Sequence, residues 1–402
     1  MAILFPKETQ EEWKAACREE LEALCRQNVF EVTDLPKGHK IIKNCWVFDI
    51  KSDGRKKAQL VSKGFSQVEG IDYNELFSPV MCFETVRLMF TLASLEDWYI
   101  TSLDVRNAFL YGKLDEEIFM EQPEGFKIKG QEHKVLHLHC VLYGLKQAAL
   151  SWWKELVGSM KKLGFKRLAS DAGLFVYKTK TDLIVAVVYV VDAMFFGKNK
   201  TLVMQKKQEF MDTWECHDLG KVQEFLRMDI KRKGDKIYLD QAVYLEKVLE
   251  HFGMQNAKAS KVPLVEGYNP SENKGEIDPK IQADYQSIIG LLLYLMLGTR
   301  PDICYAVTKL SQFAANPSQE HLDRAKSICC YLVGTKNYAL VYDGDSQKGI
   351  YAYTDSDWAA DKIKHQSITG YFFKLANGIF SWCTHAQKTV WQCLTVVDKP
   401  CG

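Results

Sequence analysis

Residues 183–196 read LIVAVVYVVDAMFF, an apolar run with a single charged side chain, Asp192. A carboxylate is costly to bury unpaired, so the run predicts two apolar strands with Asp192 at the tight turn between them, facing water or a metal ion. Turn chemistry favours Asp on its own account, so a plain core hairpin fits the same residues. A second stretch, YITSLDV at 99–105, also closes an apolar segment with one acid, Asp104. Two strand-end acids are able to share metal ions, and that moves the reading from packing toward chemistry.

At 402 residues the chain is long enough for two or three domains with cores of their own. Hydrophobic residues at 47% and charged residues at 26% exclude disordered and collagen-like classes. A net charge of +1 means that nucleic-acid binding has to come from local patches, not from bulk charge. Such patches stand at Arg55-Lys56-Lys57, Lys161-Lys162 with Lys166-Arg167, Lys206-Lys207 and Lys231-Arg232-Lys233, although solvated faces explain charge runs equally well. The 12 cysteines include no C-x-x-C pair and no signal peptide precedes them, which reads as reduced thiols in an intracellular protein. His137-x-His139-Cys140 has the look of a metal cluster, but the alternation suits one face of a strand, and no zinc site is read there. The uncharged run Ile288 to Leu297 is too short to span a bilayer and predicts a buried helix, so no membrane segment is expected.

Along the chain, Thr9 with Glu12 forms a capping-box pattern ahead of a helix carrying Trp13, Cys17, Leu21 and Leu24. Strands are predicted at Val29–Val32, Cys45–Phe48 and Leu60–Val61, then a helix from Glu84 to Leu95 leading into the Asp104 strand. A second amphipathic helix carries Trp152, Trp153, Leu156 and Met160 ahead of the Asp192 hairpin. That order predicts an α+β sheet with helices on one face. The polar segment from Pro263 to Gly275 reads as a linker. Helices follow within 285–313 and 321–332, then a strand at 349–354, and Asn377-Gly378 reads as a hairpin turn.

Six blocks carry a resemblance. KGFSQVEGIDYNELFSPV (63–80), LDVRNAFLYGKL (103–114), VLYGLKQA (141–148), VVYVVDAM (187–194), the long segment 285–313 and YTDSDWAAD (353–361) resemble, in order, the reverse transcriptase and ribonuclease H region of copia-type LTR retrotransposon Pol polyproteins. The resemblance implies a right-hand polymerase of fingers, palm and thumb followed by a truncated ribonuclease H-like α/β domain. It implies fingers and palm in residues 1–255, a thumb or connection-like helical region in 256–345, and the ribonuclease H-like part in 346–402. It also implies two-metal nucleotidyl transfer with Mg²⁺ or Mn²⁺, a primed RNA or DNA template and deoxynucleoside triphosphates as partners, and a cytoplasmic, particle-associated or nuclear location.

Carried over residue by residue, Asp104 and Asp192 match metal-binding catalytic acids. Lys57, Phe109 and Gln147 match nucleotide-binding positions, Phe109 as the ring that stacks under the incoming sugar and excludes a 2′-hydroxyl. Asp355 matches the first acid of the ribonuclease H site. The departures fall on the same motifs. Where the family hairpin reads Tyr-Val-Asp-Asp, this chain reads Tyr189-Val190-Val191-Asp192, so Val191 holds a ligand position without an oxygen. In an alternative register Ala193 takes the second acid's place, and one acid is missing either way. Mg²⁺ is then expected to bind weakly. Gln59 stands where an arginine would clasp a triphosphate, and Ala148-Ala149-Leu150 replaces the small residue and Pro-Arg that follow Gln147. Arg227 stands near the primer grip where glycine is usual. Val396 falls where a ribonuclease H glutamate is expected, so that site reads as incomplete, with apolar exposure and aggregation a risk for a domain cut short at Gly402. The chain thus reads as a polymerase impaired at one ligand, as a fragment of a larger polyprotein or a separately expressed gene. The alternative is a catalytically dead relic that only binds nucleic acid.

Overall fold

A computed structural model of the chain describes residues 9–50, 54–345, 349–356 and 367–386. The first layer begins with helix α1 (Gln10–Arg26), whose Trp13, Ala16, Cys17 and Leu24 are buried at helical spacing. Thr9 does stand at its N-cap, but no side-chain cap bond forms, so the expected capping box is absent; Glu11 and Glu12 in the first turn favour the helix start electrostatically. Strands β1 (Phe30–Thr33), β2 (Ile41–Ile42), β3 (Asn44–Ile50) and β4 (Lys56–Ser62) follow. β3 and β4 make an antiparallel ribbon, and α1 is tied to it where Glu20 accepts from the Leu60 N–H at 3.3 Å.

Helix α2 (Phe83–Leu95) leads into β5 (Tyr99–Val105), then β6 (Lys113–Glu121) and β7 (Val135–Cys140). β1, β7, β6 and β2 form one four-stranded sheet in that order, over a core of Leu24, Val29, Ile42, Leu60 and Leu138. Next come α3 (Ala148–Lys162), β8 (Lys166–Arg167), β9 (Leu174–Lys178), β10 (Leu183–Tyr189), β11 (Asp192–Gly197), α4 (Lys200–Thr213) and β12 (Cys216–Gly220). These strands build a six-stranded sheet of order β12-β5-β11-β10-β9-β8.

This central sheet is covered on both faces, not one. Ala186, Val188 and Phe195 pack against Trp152, Leu156 and Met160 of α3 and Val203 and Phe210 of α4. Val185, Val187, Met194 and Phe196 join Phe90 of α2 and a group of later helices. A strand buried on both faces has no solvated side to mark with polar residues, which is why 183–196 reads as a continuous apolar run instead of an alternating one. Phe195 and Phe196 are fully buried, each contributing about 2–3 kcal/mol.

Beyond it, β13 (Glu224–Phe225), β14 (Met228–Lys233) and β15 (Lys236–Asp240) precede α5 (Ala242–His251). The segment expected as a linker has no helix or strand yet is held in place: Tyr268 O accepts from Lys309 Nζ at 2.7 Å, and Asn273 bonds Asn316 and Pro317. Asp278 caps α6 (Pro279–Gly298) by accepting from the Lys280 and Ile281 N–H groups. Then come α7 (Cys304–Ser311) and α8 (Gln319–Gly334), the latter opened by a Ser318–His321 capping box, and β16 (Leu340–Tyr342), which completes a sheet of order β13-β14-β15-β16. Among the described residues no helix is long and apolar enough to cross a membrane.

The last sheet, β17 (Ile350–Ser356), β18 (Ile368–Leu375) and β19 (Gly378–Ala386), is antiparallel throughout. Its hairpin turn is Ala376-Asn377, one residue earlier than the sequence suggested, with Ala376 in the left-handed region at φ 54°. Gly378 serves packing instead: a Cβ there would meet the Tyr342 ring at 2.1 Å. Arg87 of α2 docks this sheet. Its guanidinium lies 3.8 Å from the Trp382 ring, donates to Phe380 O at 2.7 Å and Gly298 O at 3.0 Å, and bonds Leu297 O. Trp382 in turn donates to Met296 O at 3.1 Å. The later ribonuclease H block around Val396 lies outside the described residues. The chain is α+β, as the sequence implied.

Candidate active site

The Asp192 hairpin forms with a two-residue turn, Val190-Val191, between the paired residues Tyr189 and Asp192. Asp192 therefore opens β11 and is not in the turn itself. Val190 takes φ 56°, costly for a β-branched residue by about 1–3 kcal/mol. The turn is held by two bonds: Trp152 Nε1 donates to Val190 O at 2.6 Å, and the Val105 N–H donates to Val191 O at 2.8 Å. The second bond fastens the turn to the strand that carries Asp104.

Asp104 on β5 and Asp192 on β11 are direct antiparallel partners, so both carboxylates project from one face of the ladder. On its other side Asp104 is paired with His217 of β12. Burial raises Asp104, opposed by the charges of His217, Lys57 and Arg106. For Asp192, burial first, then the Asp104 and Glu224 charges, push the carboxyl up to about 6. Val191 is partly buried against the apolar cluster under the sheet and adds no oxygen to this group.

Phe109 sits on the short turn after β5, edge-on to Tyr143 with ring centroids 5.3 Å apart. Tyr143 is pushed up to about 12 by burial and by the Glu20 and Asp104 charges, opposed by the neighbouring Gln59 side chain. Lys57, exposed on β4, contributes its charge to Asp104. The fold thus gathers Asp104, Asp192, Phe109 and Lys57 around one sheet end. Gln147 is 4% exposed, and its amide is engaged within the protein: it donates to Asp72 O at 2.9 Å and Glu116 at 3.2 Å, and accepts from Gln67 at 3.0 Å. Asp355 lies exposed on β17, opposite Gly370.

The sequence singled out Arg227 beside this site but not the cavity that it lines. A cavity of about 510 Å³ opens beside Asp192, lined in part by Ser102, Lys221, Glu224, Leu226, Arg227 and Tyr294. Leu226 and Arg227 form the β13–β14 turn with both φ values positive, 51° and 53°, a geometry in which glycine is unstrained. Tyr294 holds that turn by donating to Leu226 O at 2.8 Å.

The basic patches divide. Lys206 and Lys207 are buried, Lys207 against Asp218 and Thr101, so that pair is a packed ionic contact and not a surface for nucleic acid. Lys231 and Arg232 are paired with Asp240 and Asp97, whereas Lys166 and Arg167 are exposed on β8. Ten cysteines are free thiols among the described residues.

The sheet thus brings two facing carboxylates to the end of a hairpin, with an aromatic ring and a lysine near them. A family model described as Reverse transcriptase (RNA-dependent DNA polymerase) matches residues 27–266. The chain belongs to the reverse transcriptase family, in the copia-type Pol polyproteins of retrotransposons. It is 39% identical over 391 residues to the Retrovirus-related Pol polyprotein from transposon TNT 1-94 of Nicotiana tabacum, covering 93% of this chain and 29% of that one. It is 36% identical to the corresponding polyprotein from transposon RE1 of Arabidopsis thaliana, covering 94% of this chain and 26% of that one. A transposon Ty5-1 protein of Saccharomyces cerevisiae is 32% identical and matched over 94% of its own length and 72% of this chain. The chain therefore spans under a third of the length of the two plant relatives. Among solved structures, a foamy viral protease-reverse transcriptase in complex with double-stranded DNA matches at a TM-score of 0.47 and 14% identity, over 93% of this chain and 56% of that one.

Proposed function

We propose that the chain is an RNA-directed DNA polymerase module whose nucleotidyl transfer is impaired by Val191. The observation that carries this reading is the direct pairing of Asp104 with Asp192 beside an oxygen-free Val191. Two facing carboxylates fit a hard divalent ion, Mg²⁺ or Mn²⁺, in part: such ions take about six oxygens, and a third carboxylate would supply both an oxygen and a compensating charge. When bound, paired ions activate the primer hydroxyl and stabilise the leaving pyrophosphate. Asp104 and Asp192 would hold them; Phe109 would lie under the deoxynucleotide sugar and exclude a 2′-hydroxyl, and Lys57 would attract the triphosphate. Gln147 would act on the nucleotide through the loop its amide holds. The partners are a primed RNA or DNA template and deoxynucleoside triphosphates, with Lys166 and Arg167 available to phosphates.

The same reading assigns fingers and palm to 1–255, a thumb or connection-like region to 256–345 and a ribonuclease H-like part, with Asp355 as its remaining acid, to 346–402. It places the protein inside the cell, in cytoplasmic particles or the nucleus. A second reading, template binding without synthesis, is favoured by Val191 together with Gln59, an uncharged side chain beside Tyr143 where an arginine would reach the triphosphate. Primer extension on an RNA template, comparing the chain as it stands with Val191→Asp, separates the two: rescued synthesis supports the first, and template binding with no synthesis in either supports the second.

A further inference from the structure

His137 and His139 stand two apart on β7, so both imidazoles project from one face of that strand. The structure adds a third group that sequence spacing does not reveal: Glu31 on β1 is the direct cross-strand partner of His137. Its two oxygens divide between the rings, Oε1 at 3.3 Å from His137 Nδ1 and Oε2 at 3.9 Å from His139 Nε2. One ligand atom from each of the three residues lies within 4.8 Å of the others. Both separations exceed the 2.7–2.9 Å of a close charge-assisted hydrogen bond. Two ligand atoms bound at about 2.0–2.1 Å to one tetrahedral ion stand roughly 3.3 Å apart, which is the shorter of the two gaps.

The surroundings hold the first ring in place. Phe119, the partner of His137 on β6, lies flat on its imidazole with centroids 4.8 Å apart and 18° between planes. His39 meets the same Phe119 edge-on. The ligands remain open to solvent, with side-chain exposures of 25% for His137, 33% for His139 and 59% for Glu31, so an ion reaches them without rearranging the core.

We propose that Glu31, His137 and His139 form a binding site for a divalent transition ion of the zinc class, completed by water. Imidazole nitrogen selects such ions over Mg²⁺, so the site is chemically distinct from the Asp104–Asp192 pair, and the proposal does not depend on the polymerase reading. Because its ligands come from β1 and β7, a bound ion staples an outer strand of the sheet to its neighbour.

The test uses the full chain stripped with EDTA. Co²⁺ titration followed by visible absorption, and Zn²⁺ titration by calorimetry, are expected to show one ion per chain with nitrogen and oxygen ligation. Each of His137→Gln, His139→Gln and Glu31→Gln weakens binding at least about tenfold, His137→Gln/His139→Gln abolishes it, and Asp104→Asn/Asp192→Asn leaves it unchanged. Zn²⁺ raises the melting temperature of the original chain and not of the double histidine variant. Circular dichroism of the metal-free variants controls for folding; Glu31→Gln, on the outer strand, carries the test if a histidine variant misfolds. No binding by the original chain, binding retained in the double histidine variant, or the ultraviolet charge-transfer band of a cobalt thiolate would each overturn the proposal.

Discussion

Asp104 and Asp192 face each other across the β5–β11 ladder, and burial raises both carboxyls, Asp192 the further. His217, Lys57 and Arg106 oppose the effect of burial on Asp104, while Asp192 meets burial and two further acids and is pushed up to about 6. The asymmetry means that, without a metal, Asp192 is the member of the pair that takes the proton first.

That proton has a consequence for stability. A carboxyl whose folded value lies above its ordinary 3.8 binds its proton more tightly in the folded state, so its stabilising contribution is present below about pH 4 and is lost as pH rises through 6. Asp192→Asn removes the loss. In EDTA, urea unfolding should show the variant gaining on the original chain by about 2 kcal/mol between pH 4 and pH 7.5. A difference flat with pH would contradict the assignment.

Arg87 fastens β19 to α2 and α6 through three carbonyls and the Trp382 ring. Arg87→Lys keeps a charge but loses the planar fork and leaves buried carbonyls short of a donor, so it should cost about 3 kcal/mol. Hydrogen exchange should speed up in 368–386 before it does in β10 and β11. Uniform loss of protection would show that the sheet is not a separately released unit.

Gly378 lies against Tyr342, where an added Cβ would stand 2.1 Å from the ring. Gly378→Ala should therefore destabilise by about 1–3 kcal/mol through overpacking, whereas Ala376→Gly, which relieves a left-handed φ of 54° in the turn, should change stability by less. Thermal melts of the two variants compare them directly. Equal effects would return the glycine to a turn role.

The exposed and buried lysines should separate in nucleic-acid binding. Lys166→Gln with Arg167→Gln should lower the salt dependence of duplex binding, reducing the log–log slope by about 2 if both touch phosphate. Lys207→Met, at a side chain buried against Asp218, should leave that slope unchanged. A change of slope in Lys207→Met without unfolding would contradict its burial.

Much of this architecture was legible in the sequence because strong periodicity fixes local structure: α1, α2, α3 and the β10–β11 hairpin fall where apolar spacing put them. The second helical face of the central sheet was not legible, since its partners, Ile288 and Leu292 of α6, lie about a hundred residues beyond the hairpin and periodicity carries no information on long-range pairing. Lys206-Lys207 reads as a surface patch until Asp218, brought alongside by β12, supplies the buried counter-charge. Asp104 and Asp192 were found from isolated acids in apolar runs. Glu224 and Glu31 were missed because each is an ordinary acid in sequence and gains meaning only from the strand placed next to it.

The proposed polymerase site keeps Asp104 and Asp192 and lacks one ligand, at Val191. The direct measurement is primer extension on an RNA template with deoxynucleotides and Mg²⁺ or Mn²⁺, the original chain against Val191→Asp. Weak or no synthesis by the original chain is expected, with a gain of at least about a hundredfold on restoring the carboxylate, equivalent to about 2.7 kcal/mol in the barrier. Full activity in the original chain, or no gain in a folded Val191→Asp protein that still binds primer-template, would contradict it.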